Sequence, residues 1–315
     1  MILTYFPTFR CNLRCSYCDY TDLWYQKTYP EVGTKEAIRL LEICRPACQT
    51  LAVSGGEPLM RDDIVQILRA ARQLDYKPIV VCTNSLLLQE REEVLDYVDF
   101  LQISLDTVDE NKQDMIFRQR GVASVVKENI CKYSNMQQQK KFKMNVNCVI
   151  REDSLEDGLE VLKFAWSNNV RFTMTPRLTV EKPAEGLVRN KQYEDLMSTI
   201  MALKRKGQPV MEWCTYAYLF HIQKFLPFKC YPFLTPRVYP SGELPYPCPS
   251  PGYSTYNLFE AGSWKEVESS IRKDHGAGVH CKKFCFLPCY MELSILLSNI
   301  FYALGELKYL WRLMS

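Results

Sequence analysis

Short apolar runs punctuate the first two thirds of the chain at Ile2–Phe6, Thr50–Val53, Ile79–Cys82, Phe100–Ile103, Asn145–Ile150 and Phe172–Thr175. Each is too short for a helix and rich in β-branched or aromatic residues, so each predicts a strand. Between them, Lys35–Ile43, Ile64–Leu74, Val122–Tyr133 and Leu155–Ser167 carry apolar residues at helical period and are bounded by Gly, Pro or Asn. Strand and helix alternating at this spacing is the pattern of βα units. Their right-handed crossovers build a parallel sheet and leave ligand-binding loops at the strand carboxyl ends. A last helix of this series is expected around Tyr193–Lys206. Beyond Gly207 the texture changes: nine prolines fall between Pro209 and Pro251, and five cysteines between Cys230 and Cys289. The expected division is 1–207 for an α/β core, 208–290 for a small Cys-rich domain and 291–315 for a C-terminal amphipathic helix.

Composition narrows the classes. A chain of 315 residues, 47% hydrophobic and 24% charged, can bury a substantial core in about two domains. The net charge is only +3 and the basic residues are dispersed, which excludes a nucleic-acid partner as an expectation. No apolar stretch reaches the length of about 18 residues that spans a membrane. Fourteen cysteines and no signal peptide within Met1–Arg10 point to the cytoplasm, a reducing compartment where thiols stay free to bind metal.

The segment Cys11-Asn-Leu-Arg-Cys15-Ser-Tyr-Cys18 follows the first expected strand, so three thiolates can come from one stretch of backbone. A structural zinc takes four ligands, and the only histidines are the distant His221, His275 and His280. Three ligands leave a metal position open. This motif resembles the signature of the radical S-adenosylmethionine (SAM) superfamily, C-x3-C-x2-C with an aromatic residue, here Tyr17, before the last cysteine. The resemblance implies a partial (β/α)6 barrel over about residues 1–200. It also implies a catalytic [4Fe–4S] cluster on Cys11, Cys15 and Cys18, with SAM on the fourth iron.

Further motifs follow in order. Ser54-Gly55-Gly56-Glu57-Pro58 after the second strand resembles the family's GGE motif, in which glycines admit a ligand and Glu57 accepts from an ammonium. Ser104, within Ile103-Ser104-Leu105-Asp106, resembles the ribose-contacting serine, and Asn147 stands where a polar residue often meets SAM. Thr83-Asn84-Ser85 resembles Thr-Asn-Gly, with serine in place of glycine. Arg118 and Arg120 have the fork that pairs with a carboxylate, although exposed arginines are the blander expectation.

The later cysteines Cys230, Cys248, Cys281, Cys285 and Cys289, with Gly242 on an expected hairpin between the first two, resemble the SPASM and Twitch extensions of this family. The resemblance implies one auxiliary [4Fe–4S] cluster, which four thiolates complete; four-cysteine zinc is the competing expectation. Cys44 and Cys48 are expected to be buried core thiols. From Met291 to Met314 apolar residues recur at helical spacing, which predicts either ordinary packing or contact with the inner face of a membrane.

Loose similarity around Cys281–Ile295 to the adenosylhopene transferase group implies a lipophilic substrate. The expected function is therefore reductive SAM cleavage to a 5′-deoxyadenosyl radical, used for C–H abstraction or radical addition on a small molecule or lipid. The expected electron donor is a flavodoxin or ferredoxin. The alternatives are a ribosomal-peptide maturase, for which no fused leader-recognition segment is expected, and a non-catalytic zinc-binding interaction module.

Overall fold

The computed structural model describes residues 1–18, 29–179, 182–208, 210, 214–248, 254–276, 286–299, 301–302 and 304, with Cys289 as backbone only. The strands are β1 (Ile2–Tyr5), β2 (Thr50–Val53), β3 (Ile79–Thr83), β4 (Phe100–Ser104), β5 (Lys143–Ile150), β6 (Arg171–Pro176), β7 (Leu178–Thr179), β8 (Lys182–Pro183), β9 (Arg237–Val238), β10 (Glu243–Tyr246) and β11 (Ser254–Asn257). The longer helices are α1 (Thr34–Cys44), α2 (Ile64–Gln73), α3 (Glu110–Phe117), α4 (Val122–Ser134), α5 (Asp157–Ser167), α6 (Lys191–Arg205), α7 (Tyr216–Lys224), α8 (Trp264–His275) and α9 (Pro288–Ser298). All six strands read from the apolar runs are present, and so are the five helices read from the period. The fold is mostly parallel α/β, as expected.

The chain forms two compact units whose sequence segments interleave. The first comprises Met1–Ile103, Asn135–Lys143 and Pro232–His280. Its strands lie in the order β4-β3-β2-β1-β9, every pair parallel. Register is fixed by the buried alternation: Leu51, Val53, Ile79, Val81, Leu101 and Ile103 are fully buried, while Ala52, Val80, Cys82 and Gln102 between them are half-exposed. Helix α1 buries Ala37, Leu40, Leu41 and Cys44, and α2 buries Ile64, Ile67, Leu68 and Ala71. These i, i+3, i+4 sets make one apolar stripe on each helix.

Strand β9 escaped the sequence pattern because two residues carry no period. It joins β10 through the turn at Gly242, whose φ of 85° and crowding by Phe259 (2.6 Å from a built Cβ) admit only glycine. The expected hairpin at Gly242 is thus a turn that leads out of the main sheet, and β10 pairs antiparallel with β11.

The second unit comprises Ser104–Ser134, Met144–Tyr231 and Cys281–Ser315. Strands β5 and β6 pair in parallel, with Asn147 beside Thr173. On β5 the apolar Met144, Val146, Cys148 and Ile150 alternate with Asn145, Asn147 and Val149; on β6 Phe172 and Met174 alternate with Arg171, Thr173 and Thr175. Side-chain caps start the helices: Asp109 accepts from Lys112 N (3.0 Å), Asn190 from Tyr193 N (3.2 Å) and Thr215 from Tyr218 N (3.2 Å).

Helix α9 packs on its own unit. Met291 and Ile295 are fully buried, each such side chain contributing about 1.5–3 kcal/mol of burial. Glu292 Oε1 accepts from Thr215 N (2.7 Å) and Ser294 Oγ from Tyr231 N (2.9 Å). The helix ends at Ser298, with Asn299 extended (φ −146°, ψ 107°), rather than running on as one element from Met291. Leu297, Phe301 and Leu304 are 55%, 79% and 54% exposed, so among the described residues part of the apolar stripe stays at the surface. Among the described residues no helix is long and apolar enough to cross a membrane.

Candidate SAM and cluster site

The loop after β1 is held by backbone carbonyls. Tyr5 O accepts from Ser54 N (3.0 Å), Thr8 O from Gly56 N (3.0 Å) and Arg10 O from Glu57 N (2.7 Å). Pro7 O takes Arg61 Nη1 (3.0 Å). Four acceptors in six residues are therefore fixed by the segment that contains the Gly-Gly-Glu motif.

The glycines make this approach possible. Gly55 has φ 123° and a built Cβ would lie 2.5 Å from Thr8 O; at Gly56 it would lie 2.1 Å from Arg10 O and 2.5 Å from Phe9 O. Both clashes are with backbone, which cannot swing aside. In this fold the glycines thus bring two stretches of main chain together immediately before Cys11.

Side chains brace the same stem. Glu31 pairs with Arg10 through both oxygens (3.1 Å each) and accepts from Thr8 Oγ1, which itself accepts from Arg10 N (2.9 Å). Arg61, 5% exposed, is clamped by Asp63 through two bonds (2.8 and 2.7 Å) and also reaches Val32 O (3.1 Å). Nothing in the sequence marks Arg61 or Glu31, because a single charged residue in a polar loop looks like a solvated one. Their role lies in distant carbonyls.

Cys11, Cys15 and Cys18 are half-buried. Leu13 N points at Cys11 Sγ (3.4 Å), Asn84 Nδ2 lies 3.9 Å from it, and Cys18 N closes a turn onto Cys15 O (3.1 Å). N–H groups aimed at sulfur favour the thiolate, the form that binds metal. Four other thiols are placed differently: they are buried, which pushes Cys44 and Cys148 well up, Cys48 up to about 12 and Cys214 up to about 11. Three half-exposed thiols supplied by one loop are the donor set that a [4Fe–4S] cluster needs.

Among the described residues no group of three His, Cys, Asp or Glu side chains is arranged to hold a single metal ion. Cluster cysteines bind separate irons, so convergence on one point is not required of them. Tyr17 is half-buried in the same loop.

Glu57 is 1% exposed and already employed. Its carboxylate accepts from Leu59 N (3.0 Å), Thr83 Oγ1 (2.7 Å) and Asn84 N (2.7 Å). A carboxylate offers about four acceptor positions, so one remains for the expected ammonium. Burial raises its carboxyl to about 7, opposed by the three donors.

Thr83-Asn84-Ser85 has a definite place. Asn84 Nδ2 donates to Asn12 Oδ1 (2.7 Å), tying the β3 loop to the cysteine loop. Ser85 has φ 66°, the left-handed conformation that glycine adopts without strain, which explains why the related motif carries glycine there.

In the second unit, Leu105 N donates to Asn147 O (3.0 Å) and Asp106 Oδ1 accepts from Val149 N (2.8 Å), so the segment after β4 is stitched to β5. The Ser104 and Asn147 side chains are half-exposed. Arg118, at φ 55°, and Arg120 are both exposed. Of the later cysteines, Cys230 is buried in the second unit and Cys248 half-buried in the first. Cys281 and Cys285 lie outside the described residues, as does the Cys289 side chain.

A family model described as the Radical SAM superfamily matches residues 5–165, just over half of the chain. Molybdenum cofactor biosynthesis protein 1 of Drosophila melanogaster is 32% identical over 157 residues, 48% of this chain and 27% of that protein. GTP 3′,8-cyclase of Synechocystis is 27% identical over 177 residues, 54% of this chain and 53% of that protein. The chain thus spans about half, or less, of the length of these curated relatives. The fold matches the solved structure of native anSMEcpe with bound AdoMet and Cp18Cys peptide at a TM-score of 0.64 and 14% identity, over 100% of this chain and 98% of that one.

Proposed function

The chain belongs to the radical SAM superfamily, and from that premise we propose that it binds a [4Fe–4S] cluster through Cys11, Cys15 and Cys18 and cleaves SAM reductively. The chemistry supplied by the bound cluster and SAM is a 5′-deoxyadenosyl radical, used for C–H abstraction or radical addition on the substrate. The observation that carries this reading is the stem of the cysteine loop, fixed at the carbonyls of Tyr5, Pro7, Thr8 and Arg10 while its three thiols stay half-exposed.

Tyr17, Ser54, Gly55, Gly56, Glu57, Ser104 and Asn147 are assigned to SAM, with the remaining acceptor position on Glu57 taking its ammonium. Cys230, Cys248, Cys281, Cys285 and Cys289 are assigned to one auxiliary cluster, within a core of 1–207 followed by an extension of 208–290. Reducing equivalents come from a flavodoxin or ferredoxin in the cytoplasm.

For the substrate, a lipophilic molecule is supported by the exposed Leu297, Phe301 and Leu304, a stripe that also fits contact of the tail with a membrane surface. A peptide is the second reading, supported by the whole-chain likeness to a structure that carries one.

The test is anaerobic: iron and sulfide analysis of the reconstituted chain, then 5′-deoxyadenosine formation from SAM and dithionite. Zinc in place of iron, with no SAM cleavage after reconstitution, would sink the proposal in favour of a zinc-binding module.

A further inference from the structure

The polar face of β5 and β6 continues past the strand ends into two arginines. Ile150 stands beside Pro176 in the ladder, and one step on, Arg177 N donates to Ile150 O (2.8 Å). Arg151 and Arg177 therefore follow on from Asn147 and Val149, and from Thr173 and Thr175, on the face opposite the apolar Val146, Cys148, Phe172 and Met174. They stand at the carboxyl ends of their strands, where βα folds bind ligands.

Both guanidinium groups are fixed, and neither is fully used. Arg151, with 15% of its side chain exposed, is held by Asp153 through Nε and Nη2, yet among the described residues its Nη1 is buried without a partner. Arg177 Nη1 donates to Glu152 Oε1 (2.7 Å), yet among the described residues its Nε is buried without a partner. The second oxygen of Glu152, Oε2, is orphaned as well. The turn at Glu185–Leu187 presses on Glu152, leaving 2.8 Å from its Cβ to a Cβ built at Gly186. Leaving such groups unsatisfied costs about 1–3 kcal/mol each, more when charged, and nearly all buried polar groups in folded proteins are paired.

Two cationic donors and one acceptor on residues that follow neighbouring strands match the hydrogen-bonding chemistry of a phosphate. A phosphate group has a second pKa of about 6, so near neutral pH it offers oxyanions to both arginines and, in its protonated fraction, an O–H to Glu152. A simple carboxylate has no such donor. Because Asp153 and Glu152 already balance the two positive charges, selectivity comes from directed hydrogen bonds rather than from net charge.

We propose that Arg151, Arg177 and Glu152 form a binding subsite for a phosphate group of the substrate. This deepens the radical SAM reading by naming a substrate class, and it rests on that reading only for the identity of the neighbouring face.

The test titrates the anaerobically reconstituted full chain with inorganic phosphate, and separately with succinate, by calorimetry at fixed ionic strength. Saturable phosphate binding is expected, weakened at least about tenfold in R151Q and in R177Q, the loss expected for one charge-assisted hydrogen bond. On the wild type, phosphate is expected to protect Arg151 and Arg177, but not the exposed Arg272, from phenylglyoxal as read by mass spectrometry. That measurement stands even if a variant fails to fold.

No phosphate binding, binding unchanged in both variants, absent protection, or binding of succinate in its place overturns the proposal. Failure of the wild type to cleave SAM overturns the earlier reading and leaves this test intact, because it reads anion binding alone.

Discussion

Cys11 and Cys15 have the same C-x3-C spacing as Cys44 and Cys48, and both pairs belong to the first unit. They end in different surroundings. The first pair sits in a loop whose carbonyls are pinned from behind, with its sulfurs half-exposed and N–H groups aimed at Cys11. The second lies at the end of α1, fully buried, where loss of solvent pushes Cys48 up to about 12 and Cys44 well above an ordinary thiol. Spacing alone is therefore an ambiguous metal signal. The element that carries it decides whether the thiols keep access to solvent.

The largest expected contrast comes from removing one thiol of each pair. In C15A, 5′-deoxyadenosine formation should fall below detection. In C48A, SAM cleavage should stay at the wild-type rate while urea unfolding reports a loss of about 1 kcal/mol, a typical core substitution. Equal loss of activity in both would break the comparison.

Next is the stem rather than the thiols. G56A places a methyl group 2.1 Å from Arg10 O, so either the loop or the motif must shift, at a cost of about 1–3 kcal/mol. Iron bound per chain after reconstitution is expected to drop although every cysteine is present. Full iron occupancy would show that the stem does not position the ligands.

A smaller effect concerns pH. The Glu57 carboxyl is raised by burial from 4.5 to about 7 in the folded chain, so between those values the folded state keeps a proton that the unfolded state has lost. Stability from this source is fully present below about 4.5 and is lost as pH rises through about 7. E57Q, which cannot ionise, should flatten that part of the stability profile. A wild-type urea midpoint that rises across the window would contradict the assignment.

The smallest change is S85G. Relieving φ 66° at Ser85 should leave stability within about 1 kcal/mol of wild type, glycine's gain in the left-handed region being offset by its greater freedom when unfolded.

Much of this was legible beforehand, because the signals are local. Strands such as Thr50–Val53 declare themselves by a β-branched run between breakers, and the cysteine, Gly-Gly-Glu and Thr-Asn segments stand in chain order at successive strand ends. The glycines were legible as close-approach positions, but what they approach was not. Their partners are the carbonyls of Thr8 and Arg10, more than forty residues away in sequence. Glu57 was marked for a ligand, yet its three hydrogen bonds inside the fold were invisible, since Thr83 and Asn84 reach it only after β2 and β3 pair.

The sequence by itself determined the order of strands and helices, the three thiols and the family they point to, because period and spacing are properties of neighbouring residues. Tertiary structure alone decided which of two equally spaced cysteine pairs stays within reach of solvent, what braces the loop through Glu31 and Arg61, and where Arg151, Arg177 and Glu152 are left with unused hydrogen-bonding atoms. Burial and hydrogen-bond satisfaction are set by residues that meet only when the chain folds.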